Sequence, residues 1–326
     1  MPISARPVAR SGLAALSLLI AGTAAAHAQG AAQYPSKRIN LIVGFAAGGF
    51  ADTLARSVGQ KLQDKWGQPV TVENRAGAGG NTAASFVAKA APDGHTILVT
   101  TTALAINETL YKQLDYKLSE LTAVAMPASS AESLAAHPSR PAPLKEFLDW
   151  GKGREITFGS AGVGSGSHIA AEYFFKVLAK TKANHVPFRG GALSVQAAVG
   201  NQIDVVASSF GSAAQVKEGK LKGLAVAGHE RSVAMPEVPT FVEAGFKDFV
   251  AESWVGLFVP AKTDPAIVDK LNAAVNEIVS EEQTKQRLTG LGYQLATRSV
   301  ADSNKYLATE VENWGTMVKA IGVTVE

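Results

Sequence analysis

The sequence predicts an α/β fold of two lobes, with parallel-rich sheets flanked by helices and a central ligand cleft. Three observations predict it. Short apolar runs alternate with amphipathic segments through most of the 326 residues, the pattern of strands covered by helices on both faces. Two glycine-rich loops each lie between an apolar run and a helical segment. Two segments suit crossings between lobes, so each lobe has its own alternating unit.

The elements follow in order. Ile39 to Val43 is a short apolar run stopped by Gly44, read as a buried strand. From Asp52 to Trp66, residues Leu54, Ala55, Val58, Leu62 and Trp66 fall on one helical face, and Gly67 ends the helix. Val70 to Val72 is a strand, Thr82 to Ala90 a helix stopped by Pro92-Asp93-Gly94, and Thr96 to Thr100 a strand. In the middle, Ile156 to Phe158, Val186-Pro187, Ile203 to Ala207 and Leu224 to Ala227 read as extended. His168 to Leu178, Ala192 to Val199 and Ala213 to Lys217 read as helical. Val255 to Val259 is the last strand, followed by helices over Asp264 to Ser280, Glu281 to Leu291 and Val300 to Ile321. Ala128 to Pro143 is the expected first crossing and Ala251-Glu252-Ser253 the return. The expected lobes are therefore residues 32–133 with 254–326, and residues 134–253.

The first 28 residues read as a secretory signal peptide. Arg6 and Arg10 form a positive start, Leu13 to Ala26 is apolar or small, and Ala26-His27-Ala28 is a cleavage signature. The run falls short of the roughly 18 apolar residues of a spanning helix, so cleavage near Ala28 and a periplasmic location are expected. Removing those two arginines leaves 29 basic and 28 acidic side chains, a net charge of +1. Such a chain has no electrostatic attraction for nucleic acid. The absence of cysteine (0 residues) rules out disulfides, thiol nucleophiles and thiolate metal sites.

The two loops carry the expected chemistry. One runs Phe45-Ala46-Ala47-Gly48-Gly49-Phe50-Ala51-Asp52, the other Gly159-Ser160-Ala161-Gly162-Val163-Gly164-Ser165-Gly166-Ser167-His168. The first turn of a helix has N–H groups without intrahelical partners, and the helix dipole adds positive charge there. Glycine lets the backbone approach a ligand closely. Each loop is thus a candidate anion cradle, at the carboxyl end of a strand, where open α/β sheets bind ligands. For each loop alone, a tight turn and a helix cap explain the residues equally well; the pair, one per lobe, favours binding. The second loop lacks the Gly-Lys-Ser/Thr ending of a phosphate loop, and its third dinucleotide glycine is Ser167.

Catalytic motifs are absent: there is no Gly-x-Ser-x-Gly elbow and no His-Glu-x-x-His helix. His95, His137, His168, His185 and His229 are scattered without metal-ligand spacing. No cofactor, metal or catalytic residue is expected. Thr101 and Thr102, after a strand, and Ser208, at the end of another, offer hydroxyls suited to a carboxylate. Arg189 could clamp one bidentately, although a lone loop arginine is more often a surface residue.

Motifs in a fixed order carry a family resemblance. They include Tyr34-Pro35, Gly48-Gly49 with Asp52, Val72-Glu73-Asn74-Arg75 with Gly77 to Gly80, and Ala91-Pro92-Asp93-Gly94. Further on come Leu104-Ala105-Ile106-Asn107, Gly159 to Gly162, His185-Val186-Pro187, Asp204, Pro236 to Thr240 and Ala244-Gly245. The chain from about Tyr34 onward resembles the Bug receptors, periplasmic binding proteins of tripartite tricarboxylate-type transporters. The resemblance implies a Venus-flytrap fold that closes on a small carboxylate: a dicarboxylate, an acidic amino acid or an aromatic acid. It implies membrane transporter subunits as transient partners; the competing readings are a ligand-sensing subunit for a two-component sensor kinase and, less favoured, an enzyme on an α/β scaffold, and a monomer is expected. It places Gly48, Gly49, Ala51 and Asp52 on one side of the ligand, Ser160, Gly162, Gly164, Ser165 and His168 on the other, and adds Asp204. The chain departs from the family at Ala46-Ala47, where proline is usual, and at Phe50, where a small residue is common; Phe188 and Arg189 replace Tyr-Lys. Phe50 either lines the pocket or packs inward.

Overall fold

The computed structural model describes residues 32–326; the expected signal peptide lies outside the described residues. The strands and helices used below are β1 Ile39–Val43, α1 Phe50–Trp66, β2 Val70–Asn74, α2 Asn81–Ala88, β3 Thr96–Thr101, α3 Ala103–Leu110, β4 Leu121–Ala131 and β5 Ser133–Ala136. There follow α4 Leu144–Gly151, β6 Ile156–Ser160, α5 Gly166–Tyr173, β7 Ala183–Pro187, α6 Gly191–Val199, β8 Val205–Ser208, α7 Ser212–Lys217 and β9 Lys222–Val226. The last are β10 Glu252–Pro260, α8 Pro265–Ser280, α9 Glu282–Gly290, β11 Gln294–Leu295 and α10 Val300–Ile321.

These elements form two mixed sheets flanked by helices. The first has six strands in the order β11-β4-β10-β3-β1-β2, the second five in the order β7-β6-β8-β5-β9. The expectation of parallel-rich sheets needs correcting. β1 pairs parallel with β2 and β3, and β6 with β7 and β8. β4, β5 and β10 pair antiparallel with all their neighbours. The reason is topological: β4 runs straight on into the second sheet as β5, and β10 returns, so strands that cross between sheets oppose the βαβ units. The expected crossing from Ala128 to Pro143 is strand over its first half, as the end of β4 and the whole of β5.

Helix α1 shows why the local sequence folds as it does. Leu54, Val58 and Leu62 are fully buried against Leu41 and Val99, each stabilising the fold by about 1.5–3 kcal/mol relative to exposure. Gly67, with φ 67°, closes the helix through its N–H to the Gln63 carbonyl. Helix α8 packs on the same core through Ile267, Leu271, Val275 and Ile278.

The final helix spans both halves of the molecule. Leu307 near its start joins the first sheet's second core around Trp254 and Phe258. Trp314, Val318 and Ile321 near its end join Phe158, Phe174 and Phe175 in the core of the second sheet. Its buried Glu310 accepts from the indole N–H groups of Trp254 at 3.1 Å and Trp314 at 3.0 Å.

Candidate ligand cleft

Three helices point their N-termini at one narrow cleft between the sheets. The cleft is lined by Gly49 to Ala51 at the start of α1, by Ser165 to Ser167 at the start of α5, and by Gly190-Gly191 at the start of α6. Ser208, Ser209 and Phe210 close it from the end of β8, and Thr101, Glu132 and Ser253 form its floor. First-turn amides lack intrahelical acceptors, and each helix brings the positive end of its dipole. Among the described residues, no lysine or arginine lines the cleft. The cavity in it is about 40 Å³, room for only a few waters.

The lobes already touch around it. Phe210 packs its ring 5.9 Å from Phe50 and 5.2 Å from Tyr293. The Ser130 hydroxyl donates to the Ser209 carbonyl at 2.6 Å. A Cβ placed on Gly79 would lie 2.8 Å from the Val163 carbonyl oxygen, so Gly79, at φ 61°, marks a close approach of the Gly77–Gly80 turn to the second loop.

The first loop is held by Asp52. Its carboxylate accepts from the Gly48 N–H at 2.8 Å, from Asn74 Nδ2 at 2.9 Å, and from Arg56 Nε and Nη2 at 2.9 and 3.0 Å. Burial alone would raise its pKa, but the hydrogen bonds from Arg56, Gly48 and Asn74 outweigh it and hold it below the usual carboxylate range. Asp52 and the Gly48 N–H are thus used inside the protein, and neither lines the cleft. Phe50 does both things considered for it: it is buried, stacked 4.8 Å from Tyr293, and also borders the cleft. Tyr293 fixes it further by donating its hydroxyl to the Phe50 carbonyl at 2.5 Å.

Serines and histidines hold the second loop. Ser165 caps α5, accepting from the His168 N–H at 3.2 Å and donating to the Gly162 carbonyl at 2.7 Å. Ser167 Oγ accepts from the Ala161 N–H at 3.1 Å. Ser160 Oγ accepts from the Gly162 N–H at 3.1 Å and bonds His185 Nε2 at 2.6 Å.

Several expected contact residues are engaged inside the protein and lie off the cleft. His168 is turned beneath the loop: its Nδ1 accepts from the Gly164 N–H at 3.3 Å and its ring stacks 4.0 Å from His185. Burial lowers its pKa to about 4, and burial with the neighbouring His168 lowers His185 to about 3, so both rings are neutral at pH 7. Ser160, Gly162 and Gly164 spend hydroxyl or amide groups on this same support. Asp204 lies at the other end of β8 from Ser208. It accepts from the Thr157 N–H and hydroxyl at 2.8 Å and from Arg140 Nε at 2.9 Å. Burial would raise its pKa, but the Thr157 and Arg140 hydrogen bonds hold it below the usual range. Thr102 is tied to β10, its Oγ1 accepting from the Trp254 N–H at 2.8 Å. Arg189 and Gly162 line a neighbouring outer groove with Gly44, Gly77 and Phe188. The cleft thus brings together Gly49, Phe50, Ala51, Thr101, Ser165 and Ser208 of the expected set.

Sequence reasoning missed Gly190-Gly191, Phe210, Ser253 and Glu132. The glycine pair had a signal, since it too sits between an extended piece and a helix. Glu132 had a weaker one: it is the only charged residue from Leu121 to Ala136.

Comparison with known proteins places this geometry. A family model described as the tripartite tricarboxylate transporter family receptor matches residues 54–323. Protein BugT of Bordetella pertussis is 30% identical over 321 residues, covering 96% of this chain and 98% of that one. The periplasmic binding protein BugD superposes with a TM-score of 0.84 at 27% identity, over 90% of this chain and 100% of that one. MatC from Rhodopseudomonas palustris, solved with bound malate, superposes with a TM-score of 0.83 at 33% identity, over 87% and 100% of the two chains. A second R. palustris protein, solved with adipate, superposes with a TM-score of 0.85 at 25% identity, over 89% and 99%.

Proposed function

The chain belongs to the tripartite tricarboxylate transporter receptor family, and from that premise we propose that it captures a small carboxylate in the periplasm and hands it to membrane transporter subunits. One observation carries the reading: three helix N-termini, those of α1, α5 and α6, face one cleft that, among the described residues, no lysine or arginine lines. Main-chain amides at helix starts are suited to a carboxylate, and each charge-assisted hydrogen bond contributes about 1.5–3 kcal/mol. A few of them, offset by ordering costs, reach the roughly −8 kcal/mol of micromolar binding. The malate and adipate bound by two neighbours support the ligand class.

The narrowness of the cleft gives the binding cycle. A dicarboxylate does not enter a 40 Å³ space, so the two sheets part for access and close again on the ligand. In this reading the lobes are residues 32–133 with 254–326 and residues 134–253, hinged where β4 meets β5 and where β10 begins. Phe210 against Phe50 and Tyr293 latches the closed form.

A thermal-shift screen of ligand-stripped protein tests the proposal, using dicarboxylates, acidic amino acids, aromatic acids, sugars and nucleotides. Ligand at 100 times its Kd stabilises the fold by about 2.7 kcal/mol. Shifts confined to a few related acids are expected. Shifts only with sugars or nucleotides refute the reading.

A further inference from the structure

Glu132 is the one ionisable side chain among the described residues that line the cleft. It stands where β4 passes into β5, and its main chain is fixed from two directions. Its N–H donates to the Ala251 carbonyl at 2.9 Å, and its carbonyl accepts from the Ala227 N–H at 2.7 Å. The residue is 3% exposed. The Ser253 hydroxyl donates to Oε1, whereas the buried Oε2 has no hydrogen-bond partner. A Cβ placed on Gly166 would lie 2.9 Å from Oε1, so the carboxyl sits beside the first turn of α5. Behind it is a small cavity walled mainly by Leu134, Phe174 and Phe249, and its two serines, Ser133 and Ser167, have their hydroxyls engaged with Ser208 and Ala161. The cleft is the polar side.

Among the described residues, no cation pairs with this carboxyl. Among the elements packed against it, α5 carries His168 and Glu172, β10 carries Glu252, and the segment after β9 carries His229, Glu230 and Arg231. His168 accepts from the Gly164 N–H, Glu252 from the Ser129 hydroxyl, and Arg231 pairs with Glu243. Burial raises the Glu132 pKa to about 8, the Ser253 hydrogen bond opposing it only in part. With Oε1 committed as acceptor, the neutral acid carries its proton on Oε2.

We propose that Glu132 contacts the ligand and sets its specificity: as a neutral acid it donates Oε2–H to the captured carboxylate, next to the amides that start α5. The inference rests on the carboxylate-capture reading above and narrows it. An ammonium group at this position would face the positive end of α5, so acids without an amine there are preferred, malate and succinate over aspartate. Binding keeps the proton in place, so capture above the acid's own pKa takes up a proton from solution.

Calorimetry with malate, succinate, adipate, benzoate and aspartate, from pH 6 to 9.5 in buffers of different ionisation enthalpy, tests this. For the best-bound acid, affinity of the unaltered protein is expected to fall about thirtyfold between pH 7 and 9.5, with proton uptake on binding. E132Q, which still presents an N–H donor, is expected to bind within about tenfold at pH 7 with an affinity that stays flat to pH 9.5. Difference infrared spectra of the unliganded proteins at pH 7 should show a protonated-carboxyl band that E132Q lacks. An ionised carboxyl at pH 7, proton release on binding, or a preference for aspartate that E132Q loses overturns the inference. If acids bind with one pH profile in both proteins, this inference alone fails; if no acid binds either protein, the capture reading fails and takes it along.

Discussion

Replacing Asp52 with alanine separates support of the first loop from contact with the ligand. The carboxylate is 2% exposed, whereas its partner Arg56 is 53% exposed, so the ion pair itself is screened and is worth about 0–1 kcal/mol. The larger part comes from the Gly48 N–H at 2.8 Å and Asn74 Nδ2 at 2.9 Å, hydrogen bonds to a charged group at about 1.5–3 kcal/mol each. These are not additive, and water reaching the vacated site recovers part of the loss. D52A is therefore expected to lose about 2–4 kcal/mol in denaturant unfolding, with a fall in Tm of about 3–6 °C. Bound carboxylate should be held roughly tenfold more weakly, because the Gly48-Gly49 backbone loses its anchor. The sign with pH follows from the lowered pKa. Asp52 stabilises the fold above its unfolded value near 3.9, and this contribution is lost as pH falls through the lower folded value, so the gap between D52A and the unaltered protein closes in strong acid. Stability unchanged within about 0.5 kcal/mol, together with a complete loss of binding, would refute the reasoning and make Asp52 a direct ligand contact.

Other substitutions probe the remaining parts. Gly49→Val should fold normally, since φ is −85° and the nearest atom to an added Cβ is the Ala46 carbonyl oxygen at 3.5 Å; circular dichroism should be unchanged while calorimetry shows no binding, and unchanged affinity would remove α1 from the site. Arg189→Ala should bind within about tenfold of the unaltered protein, because Arg189 lines the outer groove and not the cleft; loss of all binding would relocate the ligand there. The neutral His168 and His185 stabilise the fold above about pH 6.5, and each ring is expected to cost about 1.4 kcal/mol per pH unit as pH falls from there toward its folded value of about 4 or about 3. Glu132, raised to about 8, opposes one of these slopes down to about pH 4.5, so His185→Phe should reduce the loss of stability with acid by about 1.4 kcal/mol per pH unit in denaturant titrations; an unaltered slope would mean that other groups set it.

The alternating units were legible because their signals are local. The 3.6-residue apolar face of α1 and the continuous run of β1 each follow from a few neighbouring residues. Helix α3 was missed because Ala103 to Leu110 is buried nearly all round and has no polar face to give a period. Strand β4 was missed because its Ala, Ser and Pro residues have little intrinsic strand preference; its conformation comes from pairing with β10. The same division holds at the site. The glycine loops could be found because a strand, a glycine and a helix start are contiguous. The orientations of Asp204 and His168 could not, since they depend on partners such as Arg140, 64 residues away. Glu132 is read as a cleft residue only once β4, β10 and α5 are brought together.

The central claim is that helix-start amides grip a charged carboxylate. Calorimetric titration of the best-bound acid beside its neutral primary amide, malate beside malamide for instance, tests it most directly. The two have nearly the same shape and differ in charge. The account predicts that the amide binds at least about a hundredfold more weakly, because charge-assisted hydrogen bonds are roughly twice as strong as neutral ones and an amide N–H₂ meets donors with a donor. An amide bound as tightly as the acid would contradict it.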